Sequence, residues 1–529
     1  MWYIVVVAFL ARLVGAGLVS LISRDGIRFI IMAKALADGD MGSFVAEQYH
    51  PLYPALIYLF HFFSADWSIV ARMVSIMMGA LVVIPLFYIS ENLFNRRVAY
   101  IASVIYAFHP YAVRFSADTL SESTYIFFFM CALLAGFKAL EQGIKPLTAL
   151  FAGGLIAGAY LTRPEGLGLA IVTAGAIVLY RNDVTGRWMT AVKLPALALL
   201  ICGVVLCSFP YTYLLKHETG QWRITTKKAV GDFVPSFIRT QFHSGDIPQS
   251  KSDTFYSESE KTDKKTSLPA SEVKNDESGK SSVSHSLYTG LNNRLRAAGE
   301  VSQTFIETYH PLLFIFFVIG LVFGMRRSGV RQRLLLAMIA VTFLLYGYIL
   351  YRLALIHYVS KRHLLPLVTL VFPFCAFGVD KLAGTGWAGR FLKGRIKPLY
   401  IITALVLLII AFKTFKPLRA DKQFIKDVAG WLVINSELRG VYAVEEPRIA
   451  FYARLPFILI PKCPLTNDQL VDFLERKNID FMVLSKEYAD EYLTGLDQLA
   501  NTGKLKLISI YKHTDTKIGK KYLLYEYVR

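Results

Sequence analysis

The side chains that could do chemistry stand between apolar runs rather than inside them. The first run is followed by Arg24-Asp25 and then by Tyr49-His50-Pro51-Leu52-Tyr53-Pro54. Later runs end in or are followed by His109, Arg114, Asp118 and Glu122, by Arg163-Pro164-Glu165, and by His357 with Lys361-Arg362-His363. An ionised carboxylate at a dry membrane edge can take the proton of a hydroxyl group, which makes Asp25 a candidate general base. Lys361 and Arg362 suit a phosphate group, the guanidinium as a two-pronged donor and the ammonium as a point charge.

Each of these residues also has a plainer reading. Asp25 precedes an amphipathic stretch, Ile27 to Ala37, and could cap that helix, where a carboxylate is favoured by free N–H groups and the macrodipole. Glu122 could be a buried partner for Arg114, and Arg163 could close its turn by pairing with Glu165. Lys361 and Arg362 could be snorkelling anchors at a span end. Arg12, inside the first run, reads as a packing partner for an acidic side chain, and His61 and His217 read as structural.

The elements that must position these residues are membrane helices. Of the 529 residues, 54% are hydrophobic and the mean hydropathy is +0.43, well above an ordinary soluble domain. Apolar runs occur at 2–21, 67–93, 98–113, 123–140, 147–161, 167–180, 194–214, 312–325, 334–355, 364–382 and 399–412. They predict about 11 transmembrane helices, with the first run retained rather than removed as a signal peptide. The runs on either side of Arg163 are short, so that charged turn is expected below the membrane surface, where irregular backbone must line a cavity or lie in protein.

Short loops rich in Lys and Arg recur on one side, at Asn95-Arg96-Arg97, Arg181 to Lys193, Arg326 to Arg333 and Arg390 to Lys397. The positive-inside rule makes that side cytoplasmic. The N-terminus is then cytoplasmic, and segments 23–66 and 215–311 lie outside with the C-terminal part. All of the mixed acid, base and aromatic motifs fall on that outer face. The long outer loop contains no Asn-x-Ser/Thr acceptor, which favours a bacterial cytoplasmic membrane over an endoplasmic-reticulum lumen.

The net charge of +19 forms no aromatic-studded basic face, so nucleic-acid binding is not expected. Four of the five cysteines lie in apolar runs, which leaves no disulfide framework and no Cys-based metal site. No pattern assigns a metal, and metal dependence is not legible. Residues 244–286 are too poor in aliphatic side chains to order themselves and read as a solvated linker, with an acceptor-gating flap as the alternative. Leu291 to Tyr309 has helical character. From 416 onward the pattern turns to short strands, at 440–444, 457–460, 481–484, 505–511 and 522–527, with a helix at 469–477. Two domains are expected: a transmembrane domain over 1–415 and an extracytoplasmic α/β domain over 416–529 that serves docking or covering rather than nucleotide binding.

The ordered set of motifs resembles the GT-C glycosyltransferases of the protein O-mannosyltransferase and aminoarabinose transferase type, glycosyltransferase family 39 and its bacterial relatives. The resemblance rests on Asp25 after the first run, His50 to Pro54, Ser121-Glu122, Thr162-Arg163-Pro164-Glu165-Gly166, and Ser360-Lys361-Arg362-His363-Leu364-Leu365-Pro366. It implies the GT-C fold, a polyprenyl-phosphate-sugar donor, and inverting transfer to an acceptor hydroxyl of a glycan, lipid or protein on the outer face. Asp25 would be the base. Glu122, His50 and Tyr53 would serve the acceptor side or support it. Lys361 and Arg362 would hold the lipid phosphate, with Arg163 as a further contact. Gly26 departs from the protein-mannosyltransferase pattern, which has Glu there, so neither mannose nor a protein acceptor carries over. A recessed polar cavity would also suit a transporter or flippase of a lipid-linked or small polar substrate, although no internal repeat relates two halves. A receptor or assembly scaffold acting through the C-terminal part is a third reading.

Overall fold

The apolar runs fold as helices in the computed structural model, which describes residues 1–141, 143–180, 190–226, 282–324, 329–356, 358–384, 398–435, 440–493, 495–512 and 520–528. His357, residues 227–281 of the outer loop, and residues 181–189, 326–328 and 390–397 of the basic loops lie outside the described residues. Among the described residues, the helices Trp67–Leu93, Val192–Thr219, Arg331–Ile356 and Lys361–Ala383 are each long and apolar enough to cross a membrane. Asn292–Tyr309 and Pro311–Gly324 qualify together but bend by 100° at their junction. Shorter apolar helices include Trp2–Gly17, Pro146–Thr162 and Ile401–Thr414.

Local chemistry sets the breaks. Asp66 caps the helix that starts at Trp67 by accepting from Ser68 N at 2.8 Å, and Asn95 caps Arg96–Phe108 through Val98 N at 2.9 Å. The run at 98–113 is not one helix. Pro110 lacks an N–H and holds His109 extended, so the chain stops at Phe108 and restarts as Pro110–Ser116. At the 100° bend, His310 adopts a left-handed φ of 78° ahead of Pro311.

The chain divides into two compact units: Met1–Val19, Arg28–His243 and Ser278–Leu418 form the first, and a second contains Ser20–Ile27 and Arg419–Arg529. In the first, helices approach closely at small residues, as membrane helix pairs do. A methyl group on Gly320 would run into the Phe374 carbonyl, and one on Gly378 into that of Phe316, so Pro311–Gly324 and Lys361–Ala383 touch backbone to backbone.

The second unit holds a five-stranded sheet of β1 (Tyr442–Val444), β2 (Phe457–Leu459), β3 (Phe481–Ser485), β4 (Leu505–Lys512) and β5 (Lys521–Tyr527), in the order β2-β1-β3-β5-β4. β1 is parallel to β2 and β3, while β5 is antiparallel to β3 and β4. Alternation along the strands sends Tyr442, Val444, Phe481 and Val483 to one face, against helices Phe424–Asn435 and Pro447–Ala453. Ala443, Met482 and Leu484 go to the other, against Asn467–Arg476 and Lys486–Tyr492. Leu21, fully buried, belongs to the first of these cores. The segment after the first helix is thus part of the α/β unit, which the 416 boundary read from the sequence leaves out.

Candidate active site

Three charged groups meet inside the helical unit. Glu122 opens the helix Glu122–Lys138, where the macrodipole favours a carboxylate, and is only 3% exposed. Arg163 ends Pro146–Thr162: Pro164 forces it into extended backbone, and a short 3₁₀ turn, Pro164–Leu167, follows. Arg163 is buried in protein, with its guanidinium 5.8 Å from the centre of the Tyr125 ring. Arg362 stands in the first turn of Lys361–Ala383.

Arg163 Nη1 lies 3.8 Å and Arg362 Nε 3.9 Å from the same Glu122 Oε1. Both are ion-pair distances and neither is a hydrogen bond. Glu122 Oε2 and Arg163 Nη1 are buried and have no hydrogen-bond partner among the described residues. Buried polar atoms left so are costly, and a polar ligand group entering here would relieve that cost. Glu122 therefore neighbours Arg163 and Arg362, in place of the Arg114 pairing the sequence suggested.

Lys361, beside Arg362, contacts Glu307 at 2.9 Å and donates to the Tyr111 hydroxyl at 3.1 Å. Lys413 lies 5.1 Å from the centre of the same Tyr111 ring, so two cations share one aromatic ring. Ser360 and His363 form a capping box in which Ser360 N donates to His363 Nδ1 at 3.3 Å, fixing the turn that presents Lys361 and Arg362. Glu307, Tyr111 and Lys413 were not singled out in the sequence. Lys413 ends an apolar run, where it is indistinguishable from a snorkelling anchor.

The His-Pro-Leu-Tyr-Pro motif is tied to the turn before Glu122 through Tyr53. Tyr53 is fully buried, and its hydroxyl lies 2.8 Å from the Ala71 carbonyl and 2.6 Å from Ser75 Oγ. Ser75 in turn donates to the Leu120 carbonyl at 2.9 Å, holding the turn that leads into Glu122. His50 is buried against Tyr160 and Tyr211, with Nε2 3.0 Å from Thr225 Oγ1. Arg12 has no acidic partner among the described residues. It donates to the Ala8 carbonyl at 2.9 Å and lies against the Tyr106 ring, because carbonyls at a helix crossing can satisfy a guanidinium.

Asp25 is half-buried and belongs to the second unit. Its helix, Arg24–Ala37, starts earlier than the pattern from Ile27 suggested. Ser23 provides the cap, accepting from Gly26 N at 3.0 Å, so Asp25 sits within the first turn and is not the cap.

Residues 49–212 match the family model described as dolichyl-phosphate-mannose-protein mannosyltransferase. The crystal structure of ArnT from Cupriavidus metallidurans bound to undecaprenyl phosphate is similar at a TM-score of 0.58 and 13% identity, over 99% of this chain and 97% of that one. The chain shares the fold of this glycosyltransferase structure. The apo form of the same ArnT gives 0.58 at 14% identity over the same shares of the two chains. Arabinofuranosyltransferase AftD from Mycobacteria gives 0.51 at 12% identity, over 99% of this chain and 41% of that one. No curated protein sequence matches the chain. At these identities the structural likeness establishes the GT-C fold. The stretch matched by the family model contains His50, Tyr53, Glu122 and Arg163, while Asp25, Lys361 and Arg362 lie outside it.

Proposed function

We propose that this GT-C chain transfers a sugar from a polyprenyl-phosphate donor to an acceptor hydroxyl on the outer face of a bacterial cytoplasmic membrane, with inversion. The observation that carries the reading is the pair of guanidiniums beside the buried Glu122 carboxylate, Arg163 buried at 3.8 Å and Arg362 half-buried at 3.9 Å, with the Lys361 ammonium on the residue adjoining Arg362. Arg163 Nη1, buried with no hydrogen-bond partner among the described residues, is preorganised for an anion whose charge grows in the transition state.

In the reaction, Asp25 accepts the proton of the acceptor hydroxyl as that oxygen attacks the anomeric carbon from the face opposite the phosphate. The bond from the anomeric carbon to the phosphate oxygen breaks, and the lipid phosphate leaves as an anion held by Lys361 and Arg362, with Arg163 as a further contact. Glu122 orients the two guanidiniums and serves the acceptor side, and His50 and Tyr53 support the turns around it. The N-terminus is cytoplasmic and the α/β unit periplasmic. The test is to incubate purified protein with a panel of polyprenyl-phosphate sugars and with lipid, glycan and protein acceptors. Release of free lipid phosphate from at least one donor, coupled to a glycosylated product, is expected. Intact protein that releases none across the panel contradicts the reading.

A further inference from the structure

The proposed base is carried by a segment that the α/β unit holds at several points. Ile22 N donates to the Tyr452 hydroxyl at 2.9 Å, and Arg419 Nη1 donates to the Leu21 carbonyl at 2.7 Å. Leu21 is fully buried in the core built on helices Phe424–Asn435 and Pro447–Ala453. Arg24, the residue before Asp25, donates from Nη2 and Nε to Glu446 Oε2 at 2.6 and 3.2 Å.

Glu446 is fixed in turn. Arg448 donates to Glu446 Oε1 from Nε and to Oε2 from Nη2, each at 2.8 Å, and its backbone N reaches Oε1 at 3.3 Å. Pro447 opens the helix here, and Glu446 and Arg448 are both buried. Arg24 has a side chain 46% exposed and makes its bond across 422 residues of sequence. An exposed arginine alone adds little to stability, so a bidentate bond onto an already satisfied carboxylate serves to fix orientation more than to hold the fold.

We infer that Glu446, through Arg24, is a positioning residue for Asp25, so that the α/β unit sets the geometry of the base. This rests on the reading of Asp25 as the base. Misplacing a reacting group by about 1 Å costs up to about 100-fold in rate, and that cost falls on kcat, because donor binding uses other residues.

The test uses the full-length protein in detergent or nanodiscs. Arg24→Gln leaves the Glu446 to Arg448 pair intact and is expected to lower kcat about 10- to 100-fold with KM for the donor and affinity for polyprenyl phosphate unchanged. Arg24→Lys is expected to recover much of the loss, and Glu446→Gln to reproduce the loss with the protein still folded by its thermal transition. If Arg24 acts through Asp25, adding Arg24→Gln to Asp25→Asn lowers turnover no further than Asp25→Asn alone. Wild-type kcat in Arg24→Gln, or a raised donor KM at unchanged kcat, overturns the positioning role. Full activity in Asp25→Asn would instead remove the base assignment beneath it, so the two failures are distinguishable.

Discussion

Two carboxylates in this chain are each flanked by two guanidiniums, and they are built in opposite ways. Glu446 accepts from Arg24 and Arg448 at 2.6 to 2.8 Å and also from the Arg448 backbone at 3.3 Å, so both of its oxygens are engaged. Glu122 stands 3.8 and 3.9 Å from Arg163 and Arg362, with Oε2 unengaged among the described residues. In the first, both carboxylate oxygens are taken up within an ion triad. The second keeps cation capacity in a buried place, which is what a phosphate site requires. The same residue types thus hold structure in one unit and suit chemistry in the other, and the separation of charges is what distinguishes them.

Substitutions can break that contrast. Glu446→Ala leaves the buried Arg448 uncompensated and is expected to destabilise the second unit by about 3–5 kcal/mol, read as a fall in its thermal transition. Arg362→Ala is expected to lower kcat/KM by about 10²- to 10³-fold, or about 2.7–4 kcal/mol, with the thermal transition nearly unmoved. A large loss of stability in Arg362→Ala would make Glu122 a structural triad like Glu446. Arg163→Lys keeps the charge but loses the planar fork, and about a tenfold loss in kcat/KM is expected in the same assay.

A pH titration sharpens the contrast with a smaller effect. Burial alone would raise the Glu446 pKa, but hydrogen bonds from Arg448 and the nearby Arg24 outweigh it and pull it from 4.5 down to about 2. A depressed folded-state pKa stabilises above the unfolded value and ceases to do so as pH falls through the folded one. The second unit should therefore hold its stability above pH 4.5 and lose it progressively toward about pH 2, an effect Glu446→Gln should remove.

The parts of the molecule that follow from local pattern were legible in the sequence. The apolar runs became helices, the five β-rich runs became the five strands, and Glu122, Arg163 and Arg362 came together as members of one ordered motif set. What the sequence hid depends on contacts between distant residues. Arg24 meets Glu446 across 422 residues, and no local periodicity announces that Ser20–Ile27 folds with the C-terminal unit. Lys413 and Glu307 escaped notice because a lysine at a span end and a glutamate on an amphipathic helix have ordinary surface roles. The break at Pro110 was readable in principle, since proline interrupts a helix wherever its neighbour must be extended, but the apolar run across it masked the signal.

If Asp25 does the proton transfer while the cation set binds the donor, one substitution separates the two functions. One preparation of Asp25→Asn, assayed for both turnover and polyprenyl-phosphate binding, tests it most directly. Wild-type affinity for the lipid phosphate with sugar transfer lost is the expected result. Transfer at the wild-type rate would contradict it.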